Sequence, residues 1–178
     1  MKQKVIWQSA LVAVLALTPL GCKRAPKIRV QQTEEEAPRM ASTVRMADPK
    51  VASQLVSGFY GVEGNSWRWT AQKFSVALHA PLGAAQRGAT LDLALTVPGV
   101  VIEKLKTISL AATVDGRPLA PETYTEPGRF TFKRDLPPGA MTGDSVRVDF
   151  QLDKSMPPAG ADLRELGIIV SSIGLDPK

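Results

Sequence analysis

Hydrophobic and polar positions follow three different regimes along this chain. Val5–Leu20 is largely apolar, with Leu11–Thr18 unbroken and Gln8 and Ser9 interrupting the run before it. Residues 23–47 keep no sustained period. Beyond Gly58 the pattern has period two. Phe74, Val76 and Leu78 alternate with Ser75, Ala77 and His79, and Leu91, Leu93, Leu95 and Val97 alternate with Asp92, Ala94 and Thr96. Ile108, Leu110, Ala112 and Val114 share one phase, as do Phe130 and Phe132, and Val146, Val148, Phe150 and Leu152 alternate with Arg147, Asp149 and Gln151. Successive side chains of a strand point to opposite faces, so these runs predict half-buried strands. Leu166–Ile173 is apolar on both phases for most of its length, as a central strand would be.

The interruptions agree with this reading. Pro81-Leu82-Gly83, Pro98-Gly99, Asp115-Gly116, Pro127-Gly128, Pro137-Pro138-Gly139 and Pro157-Pro158 separate the runs. Asp115-Gly116 after Val114 predicts a tight hairpin, because both central residues of such a turn need positive φ. Asp48-Pro49 predicts an N-cap and first-turn proline opening a short helix through about Val56. Seven or eight strands at this spacing, over roughly 130 residues, predict an all-β chain folded as one antiparallel β-sandwich. A domain of that size takes about two thirds of its unfolded surface out of water, enough for a core without disulfides. Its expected bounds are 48–178.

The first regime has a separate meaning. Lys2 and Lys4 precede the apolar run, and Gly21-Cys22 follows it, with Cys22 the one cysteine of the chain. A charged start, a short apolar core and a small residue before the cut describe an export signal. A permanent span needs about 20 apolar residues, more than this run supplies. A thiol directly after the cut marks a bacterial lipoprotein. The expected organisation is a signal peptide over 1–21 and a lipidated tether over 22–47, with Cys22 carrying the lipid. The alternative is an uncleaved anchor helix ending in an unmodified Cys22. Several acyl chains at about 0.8 kcal/mol per buried methylene would hold the protein in the membrane, and Lys23 and Arg24 could meet anionic headgroups. Pro26, Pro38 and Glu34–Glu36 suit a flexible tether with a reach of roughly 30 Å. The expected location is the cell envelope. In a Gram-negative cell, the absence of Asp after Cys22 points to the outer membrane, on its periplasmic side.

Charge changes the picture less than its total suggests. The net charge is +5, yet residues 51–178 hold 13 basic and 13 acidic side chains. The excess lies in the signal and in residues 23–50, where export and membrane contact account for it. Nucleic acid is not an expected partner.

Two stretches carry a family resemblance: Gly58–Gly64 with Trp67–Thr70, and Asp162–Leu175, with Val114–Gly116 between them. Together they resemble a jelly-roll β-sandwich domain of bacterial envelope lipoproteins, similar to accessory modules beside glycosyltransferases and other glycan-handling proteins. The resemblance covers about residues 57–175. It implies a jelly-roll-like sandwich and a non-catalytic, lipid-anchored protein that binds an envelope glycan or a protein of a glycan-assembly complex. It carries no catalytic set. The alternative is a structural or assembly lipoprotein whose sheet edge docks a partner strand.

Candidate chemistry is sparse. Trp67 and Trp69 share one phase and Arg68 and Thr70 the other. The pair could form a sugar platform, with Arg68 or Glu63 bonding hydroxyls, or could fill the core; the core is the expectation, with Trp69 buried, because large aromatics dominate packing. Tyr60 is the better candidate for a wet position. Glu63, Arg68, Asp162, Arg164 and Glu165 recur at the two ends of the resemblance. They could form an ion-pair lattice with Arg68 bridged to Asp162 or Glu165, a ligand cleft, or paired carboxylates for glycoside hydrolysis. The lattice is the expectation, and Tyr60, Glu63, Arg68, Asp162, Arg164 and Glu165 are the candidate binding set. His79, the one histidine, falls on a polar phase, and no Gly-x-Ser-x-Gly or phosphate loop accompanies it. Cys22 serves the lipid, so neither a thiol nucleophile nor a zinc cluster is expected. No cofactor or metal is called for.

Overall fold

The computed structural model describes residues 40–141 and 143–178. Cys22, the expected signal peptide and the expected tether as far as residue 39 lie outside the described residues.

Among the described residues ten strands form, every pairing antiparallel: β1 Thr43–Arg45, β2 Leu55–Glu63, β3 Trp67–His79, β4 Ala89–Val97, β5 Ile108–Val114, β6 Arg117–Pro118, β7 Glu122–Tyr124, β8 Gly128–Leu136, β9 Ser145–Leu152 and β10 Ile169–Pro177. Their order is β6-β5-β9-β3-β10-β4-β8, with β1 on β10, β2 on β3 and β7 on β5. The sheet curls over on itself as a sandwich. Phe132 on β8 meets Phe150 on β9 edge-on with centroids 6.5 Å apart, although three strands separate β8 from β9 within the sheet. Phe74 stacks on Phe150 at 4.8 Å.

Alternation explains the layers. Leu91, Leu93, Leu95 and Val97 of β4 are buried and the residues between them are not. Each such side chain removed from water contributes about 1.5–3 kcal/mol. β10 lies centrally, between β4 on one side and β3 and β1 on the other, as its two-sided apolar run predicts. β3 is 13 residues long and passes from one half of the sandwich to the other. Its first residues pair with β10 and its last with β9. Its 13 residues have a contour length of roughly 40 Å at strand rise. The chain enters the domain beside His79, whose N–H donates to Ala41 O at 3.0 Å.

Several expectations need correction. The domain does not begin at Asp48. β1 lies within the segment read as tether and pairs with β10, and Val44 and Met46 are fully buried. Three residues with one buried phase are too few to show a period. Gln54 fastens this entry: it accepts from Ala41 N at 2.9 Å and donates to Ala41 O and Ala77 O at 2.9 and 2.8 Å. Its amide is buried yet satisfied. The helix after Asp48 is a single 3-10 segment, Pro49–Gln54, with Asp48 Oδ1 accepting from Lys50 N at 2.9 Å; Leu55 already belongs to β2. Pro98-Gly99, read as a turn, opens a helix (α2, Gly99–Leu105), and a shorter one (α1) covers Ala84–Arg87. The strands beyond seven or eight are the short β1, β6 and β7. Asp115-Gly116 makes the expected hairpin, with φ of 47° and 81° and Val114 facing Arg117.

Candidate functional site

Register defines two rows across four strands. Trp69, Ile169, Thr96 and Arg129 pair in line across β3, β10, β4 and β8, and Arg68, Val170, Leu95 and Phe130 form the next line. Directly paired residues share a face. Val170 and Leu95 are buried, so the second row faces the core and the first faces outward. Trp67, two residues before Trp69, is also outward. This corrects the expected core placement: both tryptophans share a side, but it is the outer one, and each is half-buried. Their rings meet edge to face at 6.5 Å, and Trp69 also packs against the margin of the core. Phe59, Phe74, Phe132 and Phe150 supply the large aromatics of the interior instead.

The β2–β3 hairpin sets the Trp67 ring. Gly64 and Asn65 both have positive φ, 54° and 52°, and Ser66 N donates to Glu63 O at 3.2 Å. A Cβ at Gly64 would stand 2.8 Å from Trp67 Nε1, so the indole occupies space that only glycine leaves open. Beside the ring, an open depression of about 440 Å³ runs across the sheet. Ser66, Thr96, Thr131 and Ser171 bring hydroxyls to it, Arg129 brings a cation, and among the described residues no acidic side chain lines it.

The candidate residues divide. Tyr60, Glu63, Asp162, Arg164 and Glu165 come together; Arg68 does not join them. Arg164 Nη1 meets Glu63 Oε1 at 2.7 Å, and its Nε and Nη2 grip Asp162 Oδ1 and Oδ2 at 2.9 and 2.8 Å. Its Cζ lies 5.3 Å from the Tyr60 ring centroid, and Tyr60 Oη donates to Glu165 O at 2.8 Å. The Glu165 carboxylate accepts from Ser155 Oγ. Hydrogen bonds from the Arg164 side chain and backbone hold the Asp162 carboxyl at about 2. Asp162, then Glu63, push the guanidinium upward in turn. This is a latch that fastens the segment before β10 to the β2–β3 hairpin.

The expected pairing of Arg68 with Asp162 or Glu165 is therefore replaced. Arg68 donates to Met46 O and Tyr60 O at 3.1 and 2.8 Å, tying β3 to the end of β1 and to β2. Its phase explains the outcome: Arg68 points toward the core face, while Arg164 meets Tyr60 and Glu63 on the outer one. The lattice forms around Arg164 instead. Both Asp162 and Glu63 are committed to that one cation, an arrangement with no acid set opposite a base. His79 lies at the far end of β3 from Trp67. Among the described residues, no three His, Cys, Asp or Glu side chains gather as a metal site.

Arg129, Thr96 and Thr131 were missed as candidates. Their only signal in the sequence is the outward phase of β4 and β8, which marks solvent and ligand faces alike.

No protein-family model and no curated protein matches the chain. Among solved structures, it is similar to an acetyl xylan esterase (Est2A) from the rumen bacterium Butyrivibrio proteoclasticus, at TM-score 0.47 and 11% identity over 78% of this chain and 33% of that one. It is also similar to a family 35 carbohydrate-binding module from Clostridium thermocellum, at TM-score 0.44 and 8% identity, covering 75% of this chain and 97% of the module. A third similarity is to TmCBM27, a carbohydrate-binding module of specific mannan recognition, at TM-score 0.44 and 13% identity over 78% and 97%. The chain thus spans a third of the esterase and nearly all of each module. Likenesses at this level assign neither ligand nor activity to it.

Proposed function

We propose that this chain is a lipid-anchored, non-catalytic envelope protein that binds a glycan on the outer face of β3, β10, β4 and β8. The observation that carries the reading is the Trp67 ring at the edge of an open, hydroxyl-lined depression. The C–H face of a pyranose is apolar and suits an indole, while its hydroxyls need polar partners of the kind Ser66, Thr96, Thr131 and Ser171 supply. Binding sites commonly combine an aromatic surface with a few placed polar groups. The depression is open to solvent, which leaves room for a ligand longer than one sugar.

The proposed anchor is Cys22, in the outer membrane if the cell is Gram-negative. A glycan-array screen of the protein beside Trp67→Ala tests the binding. Retention by the parent and its loss in the variant is the expected result; equal retention rejects the site. For the anchor, Cys22→Ser should abolish labelling by a lipid precursor, and an unmodified Cys22 in the mature protein would reject it.

Strand docking is the weaker alternative. β8 is nine residues long and pairs only with β4 among the described residues, leaving one edge open. Arg129, Lys133, Arg134 and Asp135 crowd that edge with charge, which discourages edge-to-edge pairing.

A further inference from the structure

We infer that the ligand is an acidic glycan, held with a neutral ring on Trp67 and an anionic group at Arg129. The inference rests on the proposed binding face and narrows what that face takes. Among the described residues Arg129 is the one formally charged side chain lining the depression. Among the described residues it has neither an ion-pair partner nor a side-chain hydrogen bond, whereas two other charges near this face are matched. Lys133 faces Asp92 on β4 at 3.7 Å, and Glu63, beside Trp67, is taken by Arg164 at 2.7 Å. A cation left uncompensated in a site without carboxylates favours an anion, and a guanidinium can grip a carboxylate, phosphate or sulfate with two parallel hydrogen bonds.

Spacing sets the pattern of the ligand. Arg129 and the tryptophans lie on strands separated by three interstrand steps, β3 to β10 to β4 to β8, or about 14 Å. That is the length of a short oligosaccharide rather than of one sugar. The anionic group should therefore stand a few rings away from the ring that stacks. Ser171 on β10 and Thr96 on β4 lie between these two ends and have hydroxyls for the intervening sugars.

The test uses the full-length chain on an array that pairs each acidic glycan with its neutral parent: uronates with their methyl esters, and phosphorylated and sulfated oligosaccharides with the unmodified chains. Separate spots distinguish the three kinds of anion. The acidic member should bind about tenfold or more tighter than its parent. Raising salt from about 0.05 to 0.5 M should erode that margin, since an exposed charge pair is screened. Arg129→Gln should abolish the margin between the acidic glycan and its parent while leaving the melting temperature unchanged. Equal retention of both members, or an acid preference that survives Arg129→Gln, overturns the inference and leaves glycan binding standing. Retention of no glycan by the parent chain overturns both.

Discussion

The two outer faces of the sandwich are built from the same kinds of residue and arranged to opposite ends. Each has an open depression, about 440 Å³ over β3, β10, β4 and β8 and about 380 Å³ over β2, β3, β9 and β5. Each has small hydroxyl residues and an arginine. On the second face Arg147 is occupied: its Nε meets Asp149 at 2.8 Å and its Nη2 meets Ser75 Oγ at 3.3 Å, and Ser75 in turn bonds Ser57 at 3.1 Å. No aromatic ring is exposed there, since the Phe150 at its floor is buried. On the first face the tryptophan is half out and Arg129 is unmatched. The second depression also carries Lys73, so what separates the faces is the arginine, paired on one and unmet on the other, and the half-exposed tryptophan ring. The difference in partnering, more than in composition, marks the binding face.

That contrast can be broken by substitution. Trp67→Ala should lower glycan retention at least about tenfold, whereas Arg147→Gln should leave it unchanged, as read by titration with any glycan the array retains. Gly64→Val should cost about 1–3 kcal/mol in chemical unfolding, because a β-branched residue is strained at φ 54°. It should also weaken retention by displacing the indole that a Cβ would meet at 2.8 Å. Smaller still is the acid response of the latch. Asp162 is held at about 2, below the ordinary carboxylate value of about 3.9, so its ionised form is favoured in the folded state. Its contribution is complete above about pH 4 and lost as the pH falls through about 2. Asp162→Asn should lower the melting temperature at neutral pH and flatten its fall between those limits; parallel melting curves would reject the latch. Least of all, Arg147→Gln should change stability by no more than about 1 kcal/mol, the usual worth of an exposed pair.

Much of the sandwich was legible in the sequence because burial imposes period two on long strands. β4 and β9 bury every second residue, and Asp115-Gly116 declares its hairpin. β1 was not legible, since its three residues owe their order to β10, far away in sequence. The candidate site was legible in part. Alternation put Trp67 and Trp69 on one face and Arg68 on the other, but it cannot say which face is inward. That choice depends on register with β10, where Arg68 lines up with the buried Val170. Glu63 and Asp162 meet in one ion-pair network around Arg164 rather than Arg68, because Arg164 lies two residues from Asp162 and can fold back on it, while the Glu165 carboxylate bonds Ser155. Arg129 was invisible, since being unpartnered is a property of neighbours in space.

The most direct test of the account is to ask which face a retained glycan covers. Amide and indole chemical shifts of the full-length chain, followed during titration with that glycan, read this out residue by residue. The account predicts the largest changes at the Trp67 indole N–H and at the amides of Thr96, Arg129, Thr131 and Ser171, with Ser75, Arg147, Asp149 and Gln151 unmoved. Changes confined to the second set, with Trp67 silent, would contradict it.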